Sequence, residues 1–156
     1  MANIQLPTAP LPPDVIQKIY AGKIKKVPYV LVFEFENLAS GTNAVIQERT
    51  PSDGVFQIEY INIQSNDLGK FSIYDTFHNR NWFTQPTYFS LIGGKGTSYG
   101  FLPCPILIPA STDIKVEVSY DSNDPNTGNA TAISGQIILG GYILQGLRYE
   151  DIYKPF

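Results

Sequence analysis

The chain has 156 residues and a formal net charge of −3, with 43% hydrophobic and 16% charged residues. A chain of this length forms one domain and buries roughly two-thirds of the surface that it exposes when unfolded. The acidic balance argues against a nucleic-acid partner, which calls for a basic surface. The single cysteine, Cys104, excludes an internal disulfide. No window reaches the ~20 apolar residues that span a bilayer, and early prolines interrupt any signal peptide, so we expect a soluble protein made in a cytoplasm, with no membrane partner.

Residues 1–27 are predicted to form an extended arm and one short helix. The prolines of residues 1–13 favour an extended backbone. The segment PDVIQKIYAG predicts a helix with Asp14 as its cap and Gly22 as its left-handed end. Its lysines indicate either a solvated basic segment or an arm that docks on an acidic neighbour. These lysines are Lys18, Lys23, Lys25 and Lys26.

Strand patterns dominate residues 28–146. The stretch PYVLVFEFEN alternates between apolar and mixed faces, and DIKVEVSY alternates most clearly. In GVFQIEYINI the apolar parity changes between Tyr60 and Ile61, which predicts either a β-bulge or a strand that crosses from one packing partner to another. Turns rich in Gly, Asn, Asp and Pro separate these strands, without intervening helical patterns. The sequence therefore predicts an all-β fold, a single antiparallel β-sandwich of jelly-roll-like form.

The segment LPCPILIPAST interrupts this series with three prolines, Pro103, Pro105 and Pro109. A proline cannot donate to a strand ladder, so the segment is predicted to be an edge strand or a crossover. Ser111 and Thr112 follow at a turn, where their hydroxyls can bond the nearby backbone.

No motif in the chain predicts a catalytic, cofactor or metal site. His78 is the single histidine and lies in a polar turn, without the G-x-S-x-G pattern of a hydrolase. GGKGTSYG lacks the spacing of a phosphate-binding loop, and DSNDPNTGN lacks the closing glutamate of a calcium loop. Glu34 and Glu36 share a strand face, but alternation on any solvated sheet produces that pair. We therefore expect a protein that is not an enzyme and carries no cofactor.

Aromatic residues permit a carbohydrate-binding alternative. An exposed platform around Trp82, Tyr88 and Tyr99 could stack against sugars. Most aromatic residues occur at core-facing parity, however, and core packing is the stronger interpretation.

Both ends of the chain carry apolar residues that would fray unless something covers them. The C-terminal segment, residues 147–156, is predicted to be a docking tail. Extended arms and tails fasten neighbouring subunits together, which predicts a homo-oligomer or a larger assembly. The candidate interface residues are Ile4, Leu6, Leu11, Leu147, Tyr149, Ile152, Tyr153 and Phe156.

Three segments follow one another between residues 54 and 144: NRNWFTQPTYFSLIGG, FLPCPILIPASTDIKVEVSY and ISGQIILGGYIL. Their turn and strand residues form a pattern, made of Trp82, Pro86, Gly93, Pro105, Pro109, Ser111, Thr112 and Gly140. This pattern resembles small β-sandwich structural proteins of tailed bacteriophages.

The resemblance implies a non-enzymatic virion role, as a capsid auxiliary (cement or minor capsid) protein or a head-to-tail accessory protein. It further implies assembly in the host cytoplasm and binding to other virion proteins. The alternative is a carbohydrate-binding module, such as one within a receptor-binding fibre.

Overall fold

The structure is a computed structural model that describes residues 11–65, 69–89, 94–95, 100–124 and 130–151. Most of the predicted arm, residues 1–10, lies outside the described residues. The described part contains one α-helix, a short 3-10 helix (Tyr149–Asp151) and ten strands. The α-helix and strands are α1 (Pro13–Tyr20), β1 (Lys25–Ala39), β2 (Thr42–Arg49), β3 (Gly54–Ser65), β4 (Lys70–Asp75), β5 (Arg80–Asn81), β6 (Thr87–Tyr88), β7 (Gly94–Lys95), β8 (Gly100–Ile108), β9 (Asp113–Tyr120) and β10 (Ala132–Gln145).

The strands form two sheets that pack face to face, which confirms the predicted β-sandwich. The first sheet has the order β1-β10-β3, with β7 and β8 both on the outer edge of β3. The second has the order β2-β9-β4, with β5 and β6 both on the outer edge of β4. Pairing is antiparallel except between β3 and the short β7. The orders β1-β10-β3-β8 and β2-β9-β4-β5 are those of a jelly roll, a sandwich of two four-stranded sheets that is built from two Greek keys.

Alternating side chains fill the space between the sheets. In β9, every second residue from Ile114 to Tyr120 is buried, as the sequence pattern predicts. In β1, Leu31, Phe33 and Phe35 are buried in the same way, and the residues between them face outward or are only half-buried. Each such side chain contributes about 1.5–3 kcal/mol when it leaves water. The alternation thus fixes which face of each strand belongs to the core.

The predicted change of parity in β3 is a β-bulge at Glu59. On β10, Gly140 pairs with Tyr60 and Gly141 pairs with Ile58, which leaves Glu59 without a partner on that strand. The extra residue restores the inward direction of the side chains that follow, because side chains alternate along a strand. As a result, the apolar residues on both sides of the bulge belong to one core cluster: Phe56, Ile58, Ile61 and Ile63.

The proline-rich segment forms β8, an edge strand, as predicted. Its residue Ile106 pairs with Ile58 and its residue Phe101 pairs with Tyr60, so residues 102–105 form an unpaired stretch opposite Glu59. Two prolines lie in this unpaired stretch, where the ladder requires no donor. At the following turn, Ser111 has a φ of 54° and the Thr112 hydroxyl donates to the Ala110 carbonyl, as expected for that residue.

The short helix is confirmed as α1, but the predicted capping role of Asp14 is wrong. Pro12 occupies the N-cap, and no side chain caps the helix. Pro13 takes the first helical position, where its fixed φ suits a helix and its missing N–H is not needed. Asp14 lies in the first turn, where a negative charge interacts favourably with the helix dipole. Gly22 ends the helix with a φ of 75°, as predicted.

The close approach of β10 to β3 at the bulge gives a stability prediction. A Cβ added at Gly141 would lie 1.9 Å from the carbonyl oxygen of Gln57, which is backbone and cannot move aside. We expect Gly141→Ala to lower the free energy of unfolding by roughly 1–3 kcal/mol or more, the cost of overpacking. Urea unfolding measures this loss, with Gln136→Ala on the same strand as the control. An unfolding curve equal to that of the wild type would show that the strands are not in close contact here.

Candidate functional site

A second apolar cluster lies beside the main core and joins the two ends of the described chain. Six buried residues form it: Val15, Ile24, Val55, Leu107, Leu144 and Leu147. They come from α1, the segment before β1, strands β3, β8 and β10, and the C-terminal segment. Leu11, Ile19 and Tyr149 pack against it while remaining partly exposed. The first described residue and the final 3-10 helix therefore meet at one place on the sandwich.

Local turns direct the C-terminal segment onto this cluster. Gly146 has a φ of 86°, a conformation that turns the chain sharply after β10. Its N–H donates to the Asp53 carbonyl at 3.2 Å, and the Gln145 amide donates to the Asp53 carboxylate at 2.7 Å. Beyond the turn, Leu147 is buried and the segment borders a cleft of about 320 Å³.

Apolar and aromatic side chains remain exposed on the elements around this cluster. Tyr20 is 87% exposed and Ile16 is 39% exposed, both on α1. Phe77, in the turn after β4, is 46% exposed, and its ring lies 4.4 Å from the ring of Tyr149. We define the terminal surface as these four residues: Ile16, Tyr20, Phe77 and Tyr149.

The helix shows why the terminal surface was only partly predictable. Val15, Ile16, Ile19 and Tyr20 form one apolar stripe on the helix, because residues three and four apart share a face. The helix has eight residues, and it buries Val15 and half-buries Ile19 while Ile16 and Tyr20 face solvent. The apolar stripe is wider than the contact between the helix and the sandwich, so Ile16 and Tyr20 remain exposed.

The predicted interface residues divide into three groups. Leu147 is only 4% exposed and packs inside its own chain, so its prediction as a docking residue is corrected: it supports the surface from beneath. Leu11 and Tyr149 are half-buried at the rim. The other five lie outside the described residues: Ile4, Leu6, Ile152, Tyr153 and Phe156.

Trp82 cannot be the centre of a glycan platform, because its side chain is fully buried. The indole N–H donates to the Asp75 carboxylate at 2.6 Å, and His78 Nδ1 lies 2.9 Å from the other carboxylate oxygen. The His78 backbone N–H also donates to Asp75, at 2.5 Å. This network fixes the turn between β4 and β5 and holds Trp82 in the core. The sequence offered no sign of it, since Trp82 lies in a polar segment without strand alternation.

Electrostatics at Asp75 favour the charged carboxylate. Burial alone would raise the pKa of Asp75, but the hydrogen bonds donated by His78 and Trp82 outweigh it and lower the pKa below its ordinary value. His78 binds Asp75 through both its backbone N–H and its Nδ1, and these contacts brace the turn between β4 and β5.

Tyr88, the second residue of the predicted platform, is half-buried and engaged with a charged pair. Its hydroxyl donates to Asp124 at 2.7 Å, and Lys70 Nζ lies 4.6 Å from the centre of its ring. Lys70 also lies 3.5 Å from Asp124. Contact with Tyr88, and then with Asp124, raises the pKa of Lys70 despite partial burial. Tyr99 lies outside the described residues, so the three aromatic residues do not form a described platform.

The described residues contain neither a cluster of metal-ligating side chains nor a helix that could span a membrane. Across the part of the chain that the structure describes, no three His, Cys, Asp or Glu side chains gather as a metal site would require. None of its described helices has the length and apolar character needed to cross a membrane. Comparisons with protein-family models, with curated proteins and with solved structures found no significant match to this chain.

The Asp75 network predicts a pH-dependent stability. Because the pKa of Asp75 in the folded state lies below its ordinary value of 3.8, the carboxylate stabilises the fold above about pH 4. That contribution is lost as the pH falls through the folded-state pKa. Asp75→Asn should therefore destabilise the protein at pH 7 by roughly 1.5–3 kcal/mol. The difference in unfolding free energy between the variant and the wild type should become smaller as the pH falls.

Urea unfolding at pH 7 and in a series down to pH 3 measures this gap. Glu48→Gln, which neutralises an exposed carboxylate of β2, is the matched control and should leave the unfolding free energy near that of the wild type across the series. A gap that stays constant with pH would contradict the assigned role of the Asp75 charge.

Because Leu147 of the C-terminal segment packs in the second cluster, we expect this segment to contribute to the unfolding free energy of the domain. Leu147→Ala removes a side chain that is 4% exposed and should cost about 2–5 kcal/mol in unfolding free energy. Arg148→Ala alters the neighbouring exposed residue and should cost less than about 0.5 kcal/mol. Denaturant unfolding followed by tryptophan fluorescence separates the two. Equal, small effects would mean that residue 147 does not pack against the sandwich.

Proposed function

We propose that this chain is a non-enzymatic structural protein of a tailed-phage virion, assembled in the host cytoplasm. It binds capsid or neighbouring virion subunits through the terminal surface, with the arm and tail that leave from it. Shape-complementary burial of apolar side chains provides the binding energy, and no chemical step is involved.

One observation carries the docking part of the proposal: both ends of the described chain pack on the same apolar cluster. Leu11, where the description begins, and Tyr149, near its end, both contact it. Leu11 and Tyr149 therefore lie at neighbouring points of the domain. Side chains gathered there from both parts of the chain can bind one neighbouring subunit and exclude water between them.

The exposed residues of the terminal surface suit an interface. Tyr20 is 87% exposed on a helix that is anchored from beneath by Val15. Aromatic side chains of this kind supply most of the binding energy at protein interfaces when a partner pocket covers them. Burial of such a side chain contributes about 1.5–3 kcal/mol. A few of these anchors, with the arm and tail, are enough for a stable attachment.

The virion part of the proposal rests on the resemblance between residues 54–144 and tailed-phage sandwich proteins. The described residues of that resemblance have packing and turn roles: Trp82 is buried, Thr112 donates its backbone N–H to the Thr50 hydroxyl, and Gly140 admits the ring of Tyr60. Jelly rolls serve in capsid proteins and in lectins alike, so the fold is compatible with the proposal and does not select it.

A reconstitution experiment tests the proposal. Particles would be purified from a phage that encodes this protein and from a deletion mutant that lacks it, and their proteins counted by quantitative mass spectrometry. We expect a fixed copy number in the first particles. Purified full-length protein should then bind the deficient particles, measured by co-sedimentation.

Substitutions on the exposed terminal surface test the site. Tyr20→Ser should weaken binding to the deficient particles by about ten-fold or more, as expected for loss of an aromatic anchor worth roughly 2 kcal/mol. Val45→Ser is the control, because Val45 is 63% exposed on β2, far along the chain from both termini. Absence of the protein from the particles would contradict the virion role, and equal weakening by both variants would contradict the terminal surface as the site.

A further inference from the structure

The outer edge of β1 forms a second candidate interaction surface, separate from the terminal surface. β1 has 15 residues, far longer than the average strand of about 5–6 residues. Within the described residues it pairs with β10 and with no other strand. Its second edge therefore faces no described strand. Such an edge is a template for another strand.

The side chains along this edge have a self-complementary order. Up to Phe35, residues of odd number, such as Leu31 and Phe33, point into the core, and residues of even number lie on the outer face. Lys26 is at one end of that face and Glu34 at the other, and both are exposed. Val30, 48% exposed, lies midway between them. A second copy of β1 in the opposite direction would present its glutamate to this lysine and its lysine to this glutamate.

We infer that two copies of this chain pair through β1, antiparallel and in one register, to form a continuous sheet across a two-fold axis. Val30 lies opposite Val30 of the second copy at the axis, and Pro28 lies opposite Val32. Lys26 lies opposite Glu34 on each side of the axis. The partner is thus a second copy of this chain, in keeping with the self-complementary interfaces of two-fold symmetric dimers.

The register follows from the alternation of side chains. Residues that face each other in an antiparallel pair lie on the same side of the sheet. Even-numbered residues must therefore oppose even-numbered residues if both cores are to stay on one side. A shift by two residues in one direction would place Glu34 opposite Pro28 and Lys26 opposite Glu36, which adjoins the irregularity of β1 between Phe35 and Leu38. A shift in the other direction would place Lys26 opposite Val32. The register about Val30 keeps both charge pairs within the regular part of the strand.

Pro28 reduces the number of hydrogen bonds in this pairing. On an edge strand a proline directs its nitrogen, which carries no hydrogen, to the side without a partner, and in the dimer that side faces the second copy. In the dimer its carbonyl still accepts the N–H of Val32. One hydrogen bond is absent at each of two equivalent positions, while the other even-numbered residues exchange theirs. Lys26 is already held on this face by the ring of Tyr142, whose centre lies 4.1 Å from its Nζ.

The corresponding edge of the second sheet does not have this property. β2 also has an exposed valine, Val45, near its middle. Antiparallel pairing of two β2 strands about it would place Asn43 opposite Gln47 and Thr42 opposite Glu48, with no opposite charges. β2 therefore supplies a matched control for β1.

Light scattering after size exclusion, over a range of concentrations, tests the inference on the full-length protein. We expect a dimer. Val30→Lys places two positive charges side by side at the axis and should raise the dissociation constant at least about ten-fold, since like charges directly opposite each other are unfavourable. Val45→Lys, the same change on β2, should leave the mass unchanged.

A charge exchange tests the register. Lys26→Glu places like charges opposite each other and should weaken the dimer, as should Glu34→Lys. The double variant Lys26→Glu with Glu34→Lys restores opposite charges and should recover the dimer. Thermal unfolding of each variant separates loss of pairing from loss of fold.

A monomeric wild type at all concentrations would overturn the inference and would mean that Lys26 and Pro28 protect the edge against pairing. A dimer that survives Val30→Lys, or no recovery in the double variant, would overturn the β1 register. Because the terminal surface takes no part in these variants, this inference and the proposed virion function can fail independently.

Discussion

The extra residue at Glu59 is the constraint on which the first sheet depends. Strict alternation along the twelve residues of β3 would turn its second half away from the core, and the bulge corrects this. Both neighbouring strands adapt at the same level. β10 has Gly140 and Gly141 there, where any side chain would collide with β3, and β8 leaves residues 102–105 unpaired. Three strands thus share one irregularity, and in return β3 contributes to the core over most of its length.

The open end of the sandwich is closed by segments that are not strands. α1 and the residues after Gly146 meet on one small cluster, and this contact couples the termini to the stability of the domain. The same contact decides which apolar residues are exposed, since the sandwich has room for Val15 and Leu147 but leaves Tyr20 in solvent. A surface of this kind is rigid beneath and apolar above, which suits docking by shape. The β1 edge differs in chemistry, because there the backbone and two charges would specify the partner.

Buried polar groups explain where aromatic residues end up in this protein. Trp82 lies in a short irregular segment, and an exposed position was a reasonable expectation for it. The buried carboxylate of Asp75 needs donors, and the indole N–H and His78 supply them. Three polar groups thus satisfy one another inside the sandwich and bring the indole ring with them. Tyr88, by contrast, keeps its hydroxyl at a surface ion pair with Asp124 and Lys70.

The sequence by itself determined the features that depend on neighbours in the chain. Alternation set the inward faces of β1 and β9, the change of parity placed the bulge in β3, prolines assigned β8 to an edge, and Gly22 ended the helix. Only the tertiary structure decided which strands pair, that Leu147 is buried and that Trp82 binds Asp75. Those contacts join residues from separate elements or from segments without periodic order. A local pattern reports the face of a strand, whereas the partner of that face depends on how the whole chain closes around its core.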